Sequence, residues 1–407
     1  MVPEGWRTTK LGTVFKSRRE RGRTGLPTLS VTLNDGLVLR ESLERKTDTN
    51  LSPEEHLLVR EGDIAYNMMR MWQGASGLAR FDAMVSPAYV VLKSTEEIDP
   101  IFASYFFKSA RMIHLFWAYS YGLTKDRLRL YFPDFELIPA LLPPVAEQRR
   151  ITEILMTWDR AIEKIDMLAR NSDRLKQTLA HEFLTGKQRV PGFTRPWKRK
   201  QLRSLGPFKK GKGLSRGDVG TEGAPCVLYG DLYTKYDSVV RAPTSFIPVE
   251  SACEAQMIHK GDLLFTASGE TAEEIGKCVA YLGETDAYAG GDILIQSPTS
   301  DDSEYLGYLL NHASVVKQRK RFAQGHSIVH ISANNLGAIV LDLPENDEQR
   351  AIAALLSKAN NAARNLTRQR VQLVAGKEAL MQELLSGKRR LNVADPSPSL
   401  VGNQVGK

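Results

Sequence analysis

Residues 213–217, Gly-Leu-Ser-Arg-Gly, match the GxSxG spacing of a nucleophile elbow, which would make Ser215 an acylating hydroxyl. That turn needs a buried strand before it, and Lys209-Lys210-Gly211-Lys212 stands there instead. A basic, flexible loop is the better reading, with a Ser215 hydrolase kept as the enzymatic rival. Residues 206–213 nearly form a phosphate-binding loop, but Gly213 occupies the place of the magnesium-binding Ser or Thr. Arg216 stands where a dinucleotide fingerprint would need its third glycine. His326 and His330 are four apart without an intervening Glu or a third ligand, which suits hydrogen-bonding histidines better than a metal site. The chain has no Asn-Pro-Pro-aromatic motif for base methylation and no Pro-Asp…Glu-x-Lys nuclease set. No catalytic residue, metal ligand or bound cofactor is assigned.

Binding chemistry is better represented. Lys16, Arg18, Arg19, Arg21 and Arg23 surround Gly22 and Gly25, and Lys209, Lys210, Lys212 and Arg216 surround Gly211, Gly213 and Gly217. Glycine lets backbone approach a phosphate, and Lys or Arg neutralises it. Later stretches add polar and aromatic side chains: Asn67, Arg70, Trp72 and Gln73 in the first half, then Tyr229, Asp231, Tyr233, Lys235 and Tyr236 in the second. Arg, Asn, Gln and Asp suit the edges of bases in the major groove. Lys125, Arg127 and Arg129 form a further basic stripe, whose place in the second half is taken by His326 and Ser327. Turn residues and partly buried aromatics are the plain alternative for about half of this set.

The distribution of charge agrees. Over 407 residues, 55 Lys and Arg face 47 Asp and Glu, a net +8. Residues 7–23 hold seven cations and one acid, Glu20, and residues 187–220 hold eleven and one, Asp218; the remainder is slightly acidic. Cations concentrated in two places point to a polyanion, most simply nucleic acid. The hydrophobic fraction is 42%, and no apolar run reaches the length of a membrane-spanning helix. The start lacks the apolar core of a signal peptide, and Cys226, Cys253 and Cys278 stand far apart, so a reduced, cytoplasmic protein is expected.

These stretches are positioned by a duplication. With an offset of 201, Glu147-Gln148-Arg149 falls on Glu348-Gln349-Arg350, and 13 of 44 aligned positions are identical. Trp6 corresponds to Trp197, Glu61-Gly62-Asp63-Ile64 to Lys260-Gly261-Asp262-Leu263, and Tyr105 to Tyr308. The order is a domain of about 145 residues, a segment of about 40, and the same pair again. The expected boundaries are 1–145, 146–186, 187–345 and 346–388, followed by a disordered tail, 389–407.

Each short segment reads as a long helix. Ile151, Ile154, Trp158, Ile162, Ile165, Leu168, Leu175, Leu179 and Phe183 recur at helical spacing, as do Ile352, Leu355, Ala359, Ala362, Leu366, Leu373, Leu380 and Leu384. About 39 residues make roughly 58 Å of helix, too long to be covered by one small domain. The two helices are therefore expected to pack on each other, antiparallel, as a coiled-coil rod. Asn360, Asn361 and Gly376 lower the helix propensity of the second. The larger domains mix strands, at 57–59, 64–66, 88–92, 225–229, 263–266, 277–281 and 293–295, with helices at 100–117 and 303–321. The fold class is α+β, with a pseudo-two-fold repeat.

The run 142–151, Leu-Pro-Pro-Val-Ala-Glu-Gln-Arg-Arg-Ile, together with residues 61–64, 183–187 and 260–265, resembles the specificity subunits of type I restriction-modification systems. The likeness covers residues 1–391. It implies that the larger domains are target recognition domains, each reading half of a bipartite DNA sequence. The helices would form a spacer that docks two methyltransferase subunits, with a restriction motor-nuclease as a possible further partner. On this basis Glu147, Gln148, Arg149, Ile151, Leu155, Trp158, Ile162 and Ile165, with Glu348, Gln349, Arg350, Ile352, Leu356, Leu366 and Leu380, are expected to serve the spacer and partner docking. S-adenosylmethionine, ATP and magnesium would belong to the partners, and this chain would not be an enzyme. Two departures, Glu345 in place of the second proline and Gly376 within the helix, question the straightness of the second spacer helix. An orphan DNA-binding scaffold is the alternative.

Overall fold

The computed structural model describes residues 2–43, 51–124, 127–214, 216–325 and 328–391. The chain forms two compact units, Met1–Asp166 with Gln369–Lys407, and Met167–Arg368. The division passes through two 40-residue helices, Val145–Leu184 and Asn346–Leu385. At 1.5 Å per residue each is about 60 Å long. Both end the same way: Gly186 (φ +70°) and Gly387 (φ +72°) turn left-handed, and Gln188 N–H and Arg389 N–H reach back to the carbonyls of Glu182 and Glu383.

In the first unit, a four-stranded sheet runs in the order Phe15–Arg18, Tyr89–Ser94, Ile64–Asn67, Ser76–Leu78. A second sheet runs Leu37–Leu39, Thr28–Val31, Ala83–Val85, Leu57–Val59. Arg7–Lys10 and Pro139–Leu142 pair antiparallel where the chain enters and leaves the domain. Two short helices, Pro100–Phe106 and Ala110–Ala118, replace the single helix expected over 100–117. Ser109 breaks it by accepting a hydrogen bond from Met112 N–H, which caps a new start. The core gathers Phe15, Tyr66, Phe102, Phe107, Phe116 and Phe135. Ile151 and Leu155 from the start of the first long helix join it, as do Leu384 and Leu385 from the end of the second. Burying an aliphatic side chain fully stabilises by about 1.5–3 kcal/mol, so both helix segments are integral to this unit.

The second unit repeats this plan. Its five-stranded sheet runs Phe208–Lys210, Ile293–Gln296, Leu263–Thr266, Cys278–Tyr281, Val239–Val240, and its four-stranded sheet Ser245–Ile247, Ala224–Val227, Ala287–Ala289, Gln256–Ile258. Lys198–Gln201 pairs with Val340–Leu343 at the neck. The helix expected at 303–321 is also two, Ser303–Leu309 and Ala313–Arg321, divided at His312. The strand expected to reach Tyr229 ends at Val227, and Tyr229–Thr234 is helical. Phe183 and Leu184 share the core with Ile352, Ala353 and Leu356.

The two sequence departures do not interrupt the second long helix. Gln349 secures its start without the second proline, donating to Pro344 O at 3.0 Å and accepting from Asp302 N–H at 2.8 Å. Gln148 does the same in the first unit, to Pro143 O at 2.9 Å and from Asp99 N–H at 2.8 Å. Gly376 lies within a continuous helix because it leaves room for a ring: a Cβ there would stand 2.9 Å from Trp158. Close packing has outweighed the propensity cost.

Candidate nucleic-acid interface

The basic loop of the first unit is held along a strand edge. Leu58 N–H donates to Glu20 O at 2.9 Å and Gly22 N–H to His56 O at 2.8 Å. Gly22 has to be glycine, since a Cβ would meet the Pro53 carbonyl oxygen at 2.3 Å. This placement separates the arginines. Arg18 is largely buried and pairs with Asp63 at 2.6 Å and with Glu20, so it braces the sheet. Arg19, Arg21 and Arg23 are exposed and form no ion pair with the described residues. Lys16 is exposed too, with Nζ on Gly12 O at 2.8 Å.

Three stretches distant in sequence meet beside Arg19. Arg18, Arg19, Met68, Tyr89 and Tyr131 line one cleft. The turn after Ile64–Asn67 is rigid: Asn67 accepts from Met69 N–H at 3.0 Å, Trp72 Nε1 donates to Met69 O at 3.1 Å, and Arg70 Nη1 donates to Gln73 at 3.2 Å. Leu130 N–H donates to Met68 O at 3.0 Å, tying this turn to the hairpin in which Tyr121 and Arg129 exchange backbone hydrogen bonds. Arg127 and Arg129 are exposed. Lys125, His326, Ser327 and Ser215 lie outside the described residues.

In the second unit Lys209, Lys210, Lys212 and Arg216 are exposed. Gly211 and Gly213 are required for the loop to pass here, since Cβ atoms would meet Gly290 O at 2.0 Å and Glu254 O at 2.4 Å. Tyr229 is 44% exposed. Of the next three expected contacts, Asp231 and Tyr233 point inward while Lys235 stays exposed. Asp231 is buried, accepts from Ser245 Oγ at 2.8 Å and pairs with Lys235 at 2.9 Å. The Tyr233 hydroxyl lies 2.7 Å from Thr266 Oγ1 and donates to Ser268 O at 2.8 Å. The polar groups of Asp231, Tyr233 and Arg18 are thus satisfied internally, whereas Lys235 holds Asp231 from an exposed position.

Sequence reasoning missed the ribbon that Tyr233 supports. Ser268–Gly269 pairs with Val329–His330. Ile328 is 59% exposed at its edge. Two-residue strands carry no periodic signal, although the repeat sets Thr266–Gly276 opposite Asn67–Gly74. Arg319 lies buried below, donating to Gly276 O, and burial lowers its pKa to about 10.

The helix-start residues also face inward. Glu147, 1% exposed, accepts from Trp6 Nε1 at 3.1 Å and from Arg390 at 2.9 and 3.0 Å. Glu348, also 1% exposed, accepts twice from Arg189 at 2.7 Å. Gln148, Gln349, Ile151, Ile352, Leu155 and Leu356 are buried as well. Arg390 and Leu391, assigned to the tail by sequence, are thus held at Glu147. Arg149 and Arg350 remain exposed, while Trp158, Ile162, Leu366 and Leu380 are half-buried and Ile165 is buried. In the first unit Lys377 donates to Asp159 at 2.5 Å and Arg370 pairs with Asp166. Partner numbers fall as helix numbers rise, so the two segments run antiparallel there.

No protein-family model matches the chain. It is 21% identical over 419 residues to the Type I restriction enzyme MjaVIII specificity subunit of Methanocaldococcus jannaschii, covering 96% of this chain and 94% of that one. Among solved structures it superposes on the S subunit of a Type-I restriction-modification system from M. genitalium, with TM-score 0.59, 15% identity and 94% and 96% of the two chains. A chain from a structural study of complex assembly and conformational transition of the type I R-M system gives 0.56, 17%, and 96% and 100%. The HsdS subunit from Thermoanaerobacter tengcongensis gives 0.50, 18%, and 95% and 98%. The chain resembles type I specificity subunits from end to end. It shares their mixed α and β fold. Among the described residues no helix is long and apolar enough to cross a membrane, and no cluster of three His, Cys, Asp or Glu side chains is placed to hold a metal.

Proposed function

We propose that this chain is the DNA-reading, non-catalytic subunit of a type I restriction-modification system in the cytoplasm. The observation that carries the proposal is the repeated unit: each half of the duplication presents exposed cations on glycine-shaped loops, and in the first half a cleft joins them to Met68 and Tyr131. Residues 1–145 and 187–345 each read one half of a bipartite target. Lys16, Arg19, Arg21, Arg23, Lys209, Lys210, Lys212 and Arg216 set register on phosphates. Asn67, Arg70, Gln73, Arg127 and Tyr229 reach base edges. Lys125, His326 and Ser327 belong to the same proposal.

The long helices, 146–186 and 346–388, act as an antiparallel coiled-coil spacer whose length sets the number of unread base pairs. Their exposed faces, including Arg149 and Arg350, dock two methyltransferase subunits, and a restriction motor-nuclease joins these. Methyl transfer from S-adenosylmethionine, and cleavage with ATP and magnesium, take place in the partners. Co-expression with an adjacent methyltransferase and genome-wide mapping of methylated bases tests the reading. A bipartite motif that disappears when this gene is deleted is expected. Association without any such motif would leave only a DNA-binding scaffold.

A further inference from the structure

The duplication places the same three positions in both units, and one exchange removes a carboxylate from the second. In the first unit the Tyr105 hydroxyl and Lys377 Nζ both donate to the Asp159 carboxylate, and Lys377 lies 5.2 Å from the Tyr105 ring. The matching residues in the second unit are Tyr308, Lys176 and Asn360. With the carboxylate replaced by an amide, the group separates. Lys176 instead stands 3.7 Å from Asp237. A cavity of about 340 Å³ opens, with Lys176, Asp237, Ser238, Tyr308, His312 and Asn360 in its wall.

Two independent features make this cavity attractive to an anion. Asn360 is 6% exposed, yet its amide makes no hydrogen bond with any described residue. That amide lines the cavity, so a ligand placed there can take the hydrogen bonds that water otherwise makes. The second feature is local charge. Ala313, also in the wall, opens the nine-residue helix Ala313–Arg321, whose positive end favours an anion. Lys176 adds an ammonium. Lys187 places a second ammonium nearby, 2.8 Å from Nε2 of His181, whose ring lies 5.6 Å from His312. Asp237 alone opposes these groups in the wall, and its contact with Lys176 is long.

We propose that this cavity binds a carboxylate, which takes the place that Asp159 fills from within the first unit. The ligand would accept from Lys176 Nζ and the Asn360 amide, and Lys176 would leave Asp237 to reach it. Either a free small carboxylate or an acidic side chain of a docked subunit supplies this chemistry.

Acetate is the probe, compared with chloride at matched ionic strength and pH on the full chain by thermal unfolding. Acetate is expected to raise Tm in a saturable way, as any ligand selective for the folded state does. Asn360→Asp, which builds the carboxylate in, should lose that rise and start from a Tm at or above the unliganded wild type. Lys176→Gln should also lose it. Asp159→Asn should gain a second acetate response by opening the equivalent site in the first unit. Equal Tm in acetate and chloride for the wild type, or an undiminished rise in Asn360→Asp, would overturn the proposal. Repeating the titration with a methyltransferase subunit bound separates the sources. Loss of the response places the subunit's own side chain in the cavity, and persistence assigns the site to a free carboxylate.

Discussion

The Trp158 ring lies directly over Gly376, so close that a Cβ at that glycine would come within 2.9 Å of its edge. At the matching positions of the duplication the sizes are reversed, with Ala359 and Leu175. The pair makes a measurable claim. Gly376→Leu should destabilise by about 1–3 kcal/mol through overpacking, despite better helix propensity. Adding Trp158→Ala should recover most of that loss. Chemical denaturation of the single and double variants measures the coupling, and additive effects would show that ring and glycine are independent.

The buried carboxylates at the helix starts should matter more for stability than surface ion pairs do. Glu147→Ala leaves Arg390 and the Trp6 indole without their acceptor, and Glu348→Ala does the same to Arg189. Each should cost on the order of 2–3 kcal/mol. Arg150→Ala, which removes an exposed pair with Glu153, should cost well under 1 kcal/mol. Urea titrations give the comparison.

Trp6 and Arg390 in the first unit stand as Trp197 and Arg189 do in the second, with cation-to-ring distances of 5.9 and 5.7 Å. In the second unit one continuous segment, 187–196, joins these parts, whereas in the first they come from residues 6 and 390, far apart in the chain. A circular permutant joined near residue 391 and opened within 191–194 should therefore fold, with Tm within a few degrees of the parent. Failure to fold would show that the continuous segment has a role its counterpart lacks.

Acid should weaken the second unit through His312. Burial and the neighbouring His181 lower its pKa from the ordinary value. The unfolded chain then binds the proton more readily, so stability is present above the unfolded pKa of about 6.5 and declines as pH falls below it. Lys176, Lys187 and Asp237 also face this region, and the first two oppose a charged imidazole. His312→Asn retains a capping side chain and should flatten the loss between about pH 7 and pH 5. An unchanged pH profile of Tm would exclude His312 as its source.

The elements legible in the sequence were those with a period or a duplicate. Both long helices followed from apolar spacing, and the strands after Gly62-Asp63 and Gly261-Asp262 from their shared turn. Exposure was not legible. Arg18 and Arg19 are adjacent in one basic run, yet Arg18 reaches Asp63, 45 residues away, and Arg19 does not. Asp231 and Tyr233 read as groove contacts only while Ser245, Thr266 and Ser268 were not known to stand beside them. Gly376 reads as a helix fault until Trp158 is seen over it. In each case the deciding partner is remote in sequence.

Removing the exposed cations tests DNA binding at a finer level. Arg19→Gln, Arg21→Gln and Arg23→Gln should weaken binding to all sequences alike and lower the salt slope by about 0.9 for each phosphate no longer neutralised. Arg70→Ala should instead relax specificity at one half-site by about 1–3 kcal/mol. Binding measured across salt concentrations and against mismatched targets separates the two classes.

The most direct test exchanges one reader for another. Residues 191–340 would be replaced by the corresponding segment of a relative with a different target, and methylated bases mapped in cells that also express the methyltransferase subunit. One half-site should change while the other half-site and the spacing between them stay as they were. A simultaneous change in both halves would contradict the assignment of one half-site to each unit.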